Sequence, residues 1–445
     1  MPVYVQNKHG HPLMPCTPAK ARHLLKDNKA KVVRRTPFTI QLLYGSAGYK
    51  QSVILGVDAG SKTIGIAACT KKEVLYAAEV KPRNDVVELL STRREFRRAR
   101  RNRTTRYRQP RFNNRTHNKH KGWLAPSVEV KIQEHITSIK RVCIILPVTK
   151  VIVETAAFDL QLIKAVEQGN PVPQGEDYQK GEMLGHYNVR QYVFFRDDYT
   201  CRYCGKKSKG IKLHAHHLES RKAGGHAPDN MITLCEDCHK KLHKGIIKEP
   251  GLQNRKHHST RDATFMGIMR KTLTAQLRNQ LSIPVYESHG YATKYTREEL
   301  LKLLKSHIND AIAIASGKWG LNTETNHNFH MPNTIYTIVP IRNHNRQLHK
   351  ATILKGGIRK SNQALKYVNG FRLWDKVLYN NTECFISGRR TRGYFTLKTL
   401  KGKTVYNSAN YKNLKLLERS TNYLIQKEVG APLTTNVMSV CASML

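Results

Sequence analysis

Apolar residues along this chain fall in short runs broken by polar, turn-forming stretches, and no run reaches the ~18 residues that a membrane-spanning helix requires. HPLMPCTPAKARHLLKDNKAKVV (11–33) predicts a loop, a helix capped at Thr17 and a strand, with RTPFTIQLLY (35–44) as a second strand. SVILGVDAGSKTIGIAACTKKEVLYAAEV (52–80) predicts three short strands joined by tight turns, the opening of an α/β domain. VKIQEHITSIKRVCIIL (130–146) carries a helical spacing, and TKVIVE (149–154) reads as a buried strand. After a polar module at about 186–260, TRDATFMGIMRKTLTAQLRNQL (260–281) predicts a helix that returns to the α/β domain. IPVYES (283–288) adds a strand and SHINDAIAIASGKWG (306–320) a late helix. From about 330 onward short strands and Gly turns dominate, as in FRLWDKVLYNNTECFISGRRTRGYFTLKTLKG, which predicts a small β-barrel. There are no internal repeats.

Charge changes this picture most. The chain has 445 residues, 76 Lys and Arg against 32 Asp and Glu, and a net charge of +44. Such a chain repels itself unless a polyanion neutralises it, which excludes an ordinary metabolic enzyme and points to nucleic acid. Eleven of the arginines crowd into STRREFRRARRNRTTRYRQPRFNNR (91–115) beside one acid. Forked guanidinium groups at that density suit phosphate clamping, and Pro110 is expected to end the segment as a helix. The N-terminus has no signal-peptide h-region, so the expected location is cytoplasmic, in association with the nucleoid.

Nine cysteines are present, four of them in the pairs Cys201-x2-Cys204 and Cys235-x2-Cys238. Four thiolates so spaced suit a structural, tetrahedral Zn2+ in a reducing compartment. In LCEDCHKKLH (234–243) Cys238 and His239 are adjacent, so a C2H2 finger is excluded. KLHAHH reads as a strand, GGHAPDN as a turn, and the second CxxC leads into a helix, giving ββα order. His239 and His243 share one helical face, and His216 and His217 end the first strand. These groups could meet across one metal and one phosphate, or they could be incidental in a zinc-stapled DNA-binding knuckle. The stretch resembles the HNH endonuclease family: CxxC, HH, GG, DN and CxxCH in order. The resemblance implies that His217 is the general base, that His216 and His239 hold one catalytic Mg2+, and that Asn230 positions the base. His243 matches a ligand that only some family members carry.

A second set of chemistry-bearing residues is spread along the chain. ILGVDAGSKTIGIA places Asp58 at a strand end before a Gly turn, VIVETAAFD does the same for Glu154, and SHINDAIAIA puts His307 and Asp310 on one helical face. Strand–Asp–Gly openings also begin sugar kinases and actin-like ATPases. Three carboxylates at one end of a sheet would suit two Mg2+ ions that stabilise the attacking and leaving oxygens of a phosphodiester. The set resembles a RuvC nuclease split into three segments. That implies Asp58, Glu154 and Asp310 as Mg2+ ligands, with His307 activating water or assisting as a ligand.

An arginine-rich segment between the first two RuvC-like segments, an HNH module between the second and third, and the N-terminal PLMP of HPLMPCTPAKARHLL together resemble the IscB family, compact relatives of type II CRISPR effectors. The resemblance implies an α/β architecture: a split RNase H-like (RuvC) domain, an inserted zinc-stapled ββα HNH domain, a small N-terminal PLMP domain and a β-rich C-terminal domain. The expected boundaries are 1–51 (PLMP), 52–90, 119–184 and 263–328 (RuvC segments), 91–118 (bridge helix), 185–262 (HNH) and 329–445 (C-terminal domain, reading a target-adjacent motif). Arg93, Arg94, Arg97, Arg98, Arg100, Arg101, Arg103, Arg106, Arg108, Arg111 and Arg115 would clamp a guide ωRNA and its duplex with DNA. The implied function is an RNA-guided double-strand cut by a protein monomer in a ribonucleoprotein. HNH would cut the guide-paired strand and RuvC the displaced strand of double-stranded target DNA, with no membrane partner. A guide-independent nuclease of homing or junction-resolving type is the competing expectation, and an RNA-binding scaffold with inactive nuclease domains is the non-enzymatic one.

Overall fold

The computed structural model describes residues 2–101, 120, 122–155, 166, 171–172, 177, 189–208, 210–218, 228–247, 261–317, 330–331, 334–341 and 365–429. The chain divides into two compact units, Met1–Phe158 with Met269–Leu445, and Asp159–Ile268.

The larger unit opens with a four-stranded sheet of β1 (Val3–Gln6), β2 (Pro12–Cys16), β3 (Ala30–Arg34) and β4 (Thr39–Leu42), in the order β2-β1-β4-β3. Helix α1 (Pro18–Lys26) lies between β2 and β3; the Thr17 hydroxyl accepts the Lys20 N–H, and Pro18 opens its first turn, as the sequence predicts. Residues 12–16, expected as a loop, form an edge strand. Pro12 and Pro15 lack N–H donors, which an edge strand tolerates and a central one does not. Val3, Val5, Leu13, Ala21, Ile40 and Leu42 close this small core.

The central element is a seven-stranded sheet. Strands β5 (Val53–Asp58), β6 (Ile64–Cys69) and β7 (Val74–Val80) form an antiparallel meander. Helices α2 (Val86–Arg101) and α3 (Pro126–Ile145) follow, and then β8 (Val148–Thr155), which pairs parallel with β5. Five strands of the sheet run in the order β7-β6-β5-β8 and then Val285–His289, which is parallel to β8. The helix His307–Ser316 packs Ile308, Ala311, Ile312 and Ala315 on this sheet against Ile54, Ala67 and Ile152. Two glycines set how close it comes. A Cβ on Gly56 would lie 2.1 Å from the Ala311 carbonyl oxygen, and one on Gly65 would lie 1.8 Å from that of His307. No side chain fits there, so the helix backbone rests directly on β5 and β6.

The smaller unit contains helix α4 (Val189–Arg196), then β9 (Leu213–His217) paired antiparallel with β10 (Met231–Cys235), then α5 (Glu236–His243). This is the expected ββα order. Buried Asp197 accepts the Thr233 N–H at 3.0 Å and pairs with Arg196, tying α4 to β10. The division between units falls inside α6 (Arg261–Gln280), a little beyond the boundary expected at 262.

Beyond it lie β11 (Val285–His289), α7 (Gly290–Tyr295), α8 (His307–Ser316) and β12 (Thr334–Pro340). A five-stranded antiparallel sheet follows, made of β13 (Lys376–Tyr379), β14 (Thr382–Arg389), β15 (Tyr394–Lys398), β16 (Thr404–Asn410) and β17 (Lys415–Glu418), in the order β16-β15-β14-β13-β17. The last strand, β18 (Tyr423–Val429), leaves it and pairs with β12, and β12 pairs with β7. The stretch 329–445, expected as one separate β-rich domain, therefore gives its first and last described strands to the central sheet. No helix among the described residues is long and apolar enough to cross a membrane.

Candidate functional site

Two centres emerge, one in each unit. In the larger unit, Asp58 and Glu154 end adjacent parallel strands and are register partners across β5 and β8. Glu154 is in turn level with Ser288 on β11. Helix α8 delivers the rest. The Ser306 hydroxyl accepts the Asn309 N–H at 3.1 Å, so the helix starts at His307 and holds Asp310 in its first turn. His307 Nδ1 lies 2.6 Å from Asp58 Oδ2. Asp310 Oδ1 accepts from the guanidinium of Arg297, whose other arm donates to Glu298.

The electrostatics are those of acids crowded together. The Glu154 carboxyl is raised above its ordinary range, first by burial and then by the charges of Asp58 and Asp310, against a hydrogen bond from Thr293. His307 is raised by its hydrogen bond to Asp58, against partial burial. The contact holds the His307 ring and the Asp58 carboxylate against each other. All four predicted residues of this centre come together. Hard carboxylate oxygens on two strands and a helix fit Mg2+.

In the smaller unit the Sγ atoms of Cys201, Cys204, Cys235 and Cys238 lie within 4.8 Å of one another, with Cys204 and Cys235 at 3.7 Å. Burial works against the Cys201 thiolate, but donors from Cys204, Cys235 and Tyr203 outweigh it and bring the thiol down to about 7. Cys204 and Cys238 are pushed up, by burial first and then by neighbouring thiols. Four thiolates so close need a cation, and the set could bind zinc.

Beside it, β9 and α5 bring His216, His239 and His243 together, their ring nitrogens also within 4.8 Å. His239 and His243 face each other at 3.2 Å between Nε2 atoms, as their helical spacing predicts. His214, two residues before His216, stacks on His239 with ring centroids 4.8 Å apart. The His239 ring is lowered by burial first and then by His243, His214 and His216, which favours the neutral, ligating form. His217 ends β9 outside this cluster. Asn230 is fully buried, and its carbonyl accepts the Leu218 N–H at 2.9 Å, pinning the residue that follows His217. Three imidazoles suit a divalent transition ion better than Mg2+, which prefers oxygen, so this donor set departs from the Mg2+ expected of it.

Sequence reasoning missed Arg297 and His214. For His214 the signal was present, since alternate strand positions share a face. Helix α2 starts at Val86, ahead of the expected 91. Arg93 and Arg94 lie on it; the side chains of Arg97, Arg98, Arg100 and Arg101, and all of Arg103, Arg106, Arg108, Pro110, Arg111 and Arg115, lie outside the described residues.

The RRXRR protein family matches residues 3–181, and the HNH endonuclease family matches residues 201–245. The chain is an IscB-type protein. Arg97-Arg98-Ala99-Arg100-Arg101 spells the pattern in the first family's name. The chain is also similar to anaredoxin of Nostoc sp. (strain PCC 7120 / SAG 25.82 / UTEX 2576), at 38% identity over 64 residues, 14% of this chain and 82% of that protein. The matched HNH span holds both CxxC pairs and all three clustered histidines, so the smaller unit carries an HNH nuclease domain. Together the two matches support a nuclease of the IscB/Cas9 type.

Proposed function

We propose that this IscB-type protein is an RNA-guided DNA endonuclease with two independent cutting centres. In this reading the HNH domain cuts the strand paired to a guide ωRNA, and a RuvC-like centre cuts the displaced strand. The observation that carries it is the gathering of Asp58, Glu154, His307 and Asp310, remote in sequence, at one end of the central sheet of a chain whose other unit is an HNH domain. The strand order β7-β6-β5-β8-β11, an antiparallel meander followed by two parallel strands, supports an RNase H-like frame for that centre.

Asp58, Glu154 and Asp310 would hold Mg2+. When bound, it supplies charge to the phosphate oxygens and lowers the pKa of water. The chain's own part is to line up three acids against one scissile phosphate. Asp58 is kept in register by β5 and Asp310 by the Ser306 cap. In the HNH domain His216, His239 and His243 would hold the catalytic ion, and His217 would take the proton from the attacking water. The four cysteines would hold a structural zinc that fixes β10 and α5. The arginine-rich segment beginning at α2 would clamp the RNA, and the C-terminal sheet would read a short duplex motif beside the target.

The test is strand-resolved cleavage of a guide-matched duplex by the ribonucleoprotein. Asp58→Ala is expected to leave a nick only in the guide-paired strand, and His217→Ala only in the displaced strand. Either variant still cutting both strands would refute the two-centre assignment. Cleavage by RNA-free protein would refute guidance.

A further inference from the structure

Arg297 belongs to no motif, yet among the described residues of the larger unit it is one of the few buried charged groups, at 5% exposure. It sits on a single π-helical turn, Thr296–Leu300, closed by the Leu301 N–H donating to the Thr296 carbonyl at 2.9 Å. Such wide turns are costly and recur at functional sites. One arm of the guanidinium donates to Asp310 Oδ1 and the other to Glu298, while its buried Nε has no hydrogen-bond partner. A buried cation with an unsatisfied donor is expensive to keep for stability alone.

We propose that Arg297 is a positioning residue of the carboxylate centre: it fixes Asp310 through Oδ1 and so leaves Oδ2 for a divalent cation shared with Asp58 and Glu154. This rests on the reading of those acids as metal ligands. A cation beside a metal site could equally repel the metal. Here Glu298 shares the same guanidinium and offsets its charge, so what Arg297 brings to the centre is chiefly geometry. A carboxylate held through its non-ligating oxygen loses less freedom on binding, and partners of this kind commonly govern 10–100-fold in metal affinity.

Local metal binding can be read in the ribonucleoprotein itself by loading Fe2+ and triggering hydroxyl-radical scission of the polypeptide, with fragments mapped by mass spectrometry. Scission near residues 58, 154 and 310 reports this centre whatever Fe2+ binds elsewhere. Arg297→Gln is expected to raise the half-maximal Fe2+ concentration by about 10–100-fold. Arg297→Lys, which keeps the charge but not the fork, should shift it in the same direction by less. If Gln fails to fold, as judged by thermal melting, Lys alone carries the test. An unchanged midpoint in Lys, or tighter binding in either variant, overturns the proposal. Asp58→Ala separates the two levels. Loss of the fragments in Asp58→Ala supports the metal-ligand reading, and their persistence refutes that reading whatever Arg297 does.

Discussion

Gly65 shows how a residue with no side chain shapes this protein's chemistry. The space its Cβ would need is taken by the His307 carbonyl at 1.8 Å. That absence lets α8 settle on β6 and bring His307 to Asp58. Gly65→Ala should push the helix off the sheet, at a cost of roughly 1–3 kcal/mol, typical of overpacking. The melting temperature should fall and displaced-strand cutting should drop. Gly45→Ala, with nothing within 4 Å, is the matched control and should do neither. His135 acts at the same scale through its side chain. Fully buried in α3, its Nδ1 donates to the Lys131 carbonyl at 2.7 Å, and burial brings its pKa down to about 4 from 6.5. The folded state therefore prefers the neutral ring while the unfolded chain takes up the proton. Stability from this group is complete above about pH 6.5 and is lost as pH falls toward 4, by roughly 3 kcal/mol at most. Urea unfolding at pH 7 and pH 5 should show that loss, and His135→Gln should flatten it.

Among elements, the ββα module depends most on something outside the backbone. Its core cluster joins Phe194, Leu213, Ile232 and Leu234 to three of the four clustered cysteines, a small reserve of apolar burial. Structural zinc contributes on the order of 10 kcal/mol to such folds. Cys204→Ser should lower the bound zinc. It should strip hydrogen-exchange protection from β9, β10 and α5, and leave β5 and β8 protected. Retained zinc with full protection would mean the thiols are not its ligands. Elements also explain which parts of the fold were legible in the sequence. Asp58, Glu154, His307 and Asp310 could be read because each sits at a strand end or helix start that local pattern defines. The cysteines and clustered histidines could be read from spacing alone. The pairing of β12 and β18 with the central sheet could not, because half-buried alternation says that a strand exists and not which edge it joins. Strand β2 was hidden by its prolines. Arg297 was hidden because its partner lies a π turn and a loop away, a separation without a sequence periodicity.

For the whole molecule the governing quantity is a net charge of +44. Pairing within the protein does little to offset it, since most of the ion pairs described join partly exposed groups, each worth at most about 1 kcal/mol. A partner with dense phosphate is the counterpart, and its binding should weaken steeply with salt. Each neutralised phosphate of a single strand contributes about 0.7 to the slope of log affinity against log salt, and of a duplex about 0.9. Arg93 and Arg94, on the described part of α2, give the cleanest test because neither belongs to the carboxylate centre or to the histidine cluster. The Arg93→Ala, Arg94→Ala double variant should reduce the slope for structured RNA by roughly 1.4 to 1.8 and weaken binding at every salt concentration. Filter binding across a salt series reads both. A weakened affinity with an unchanged slope would mean that these arginines act through packing or base contacts, and the phosphate-clamp role would fall to the arginines beyond Arg101. A reduced slope would place the start of the RNA-binding track at the exit of the central sheet, immediately after the strands that position Asp58.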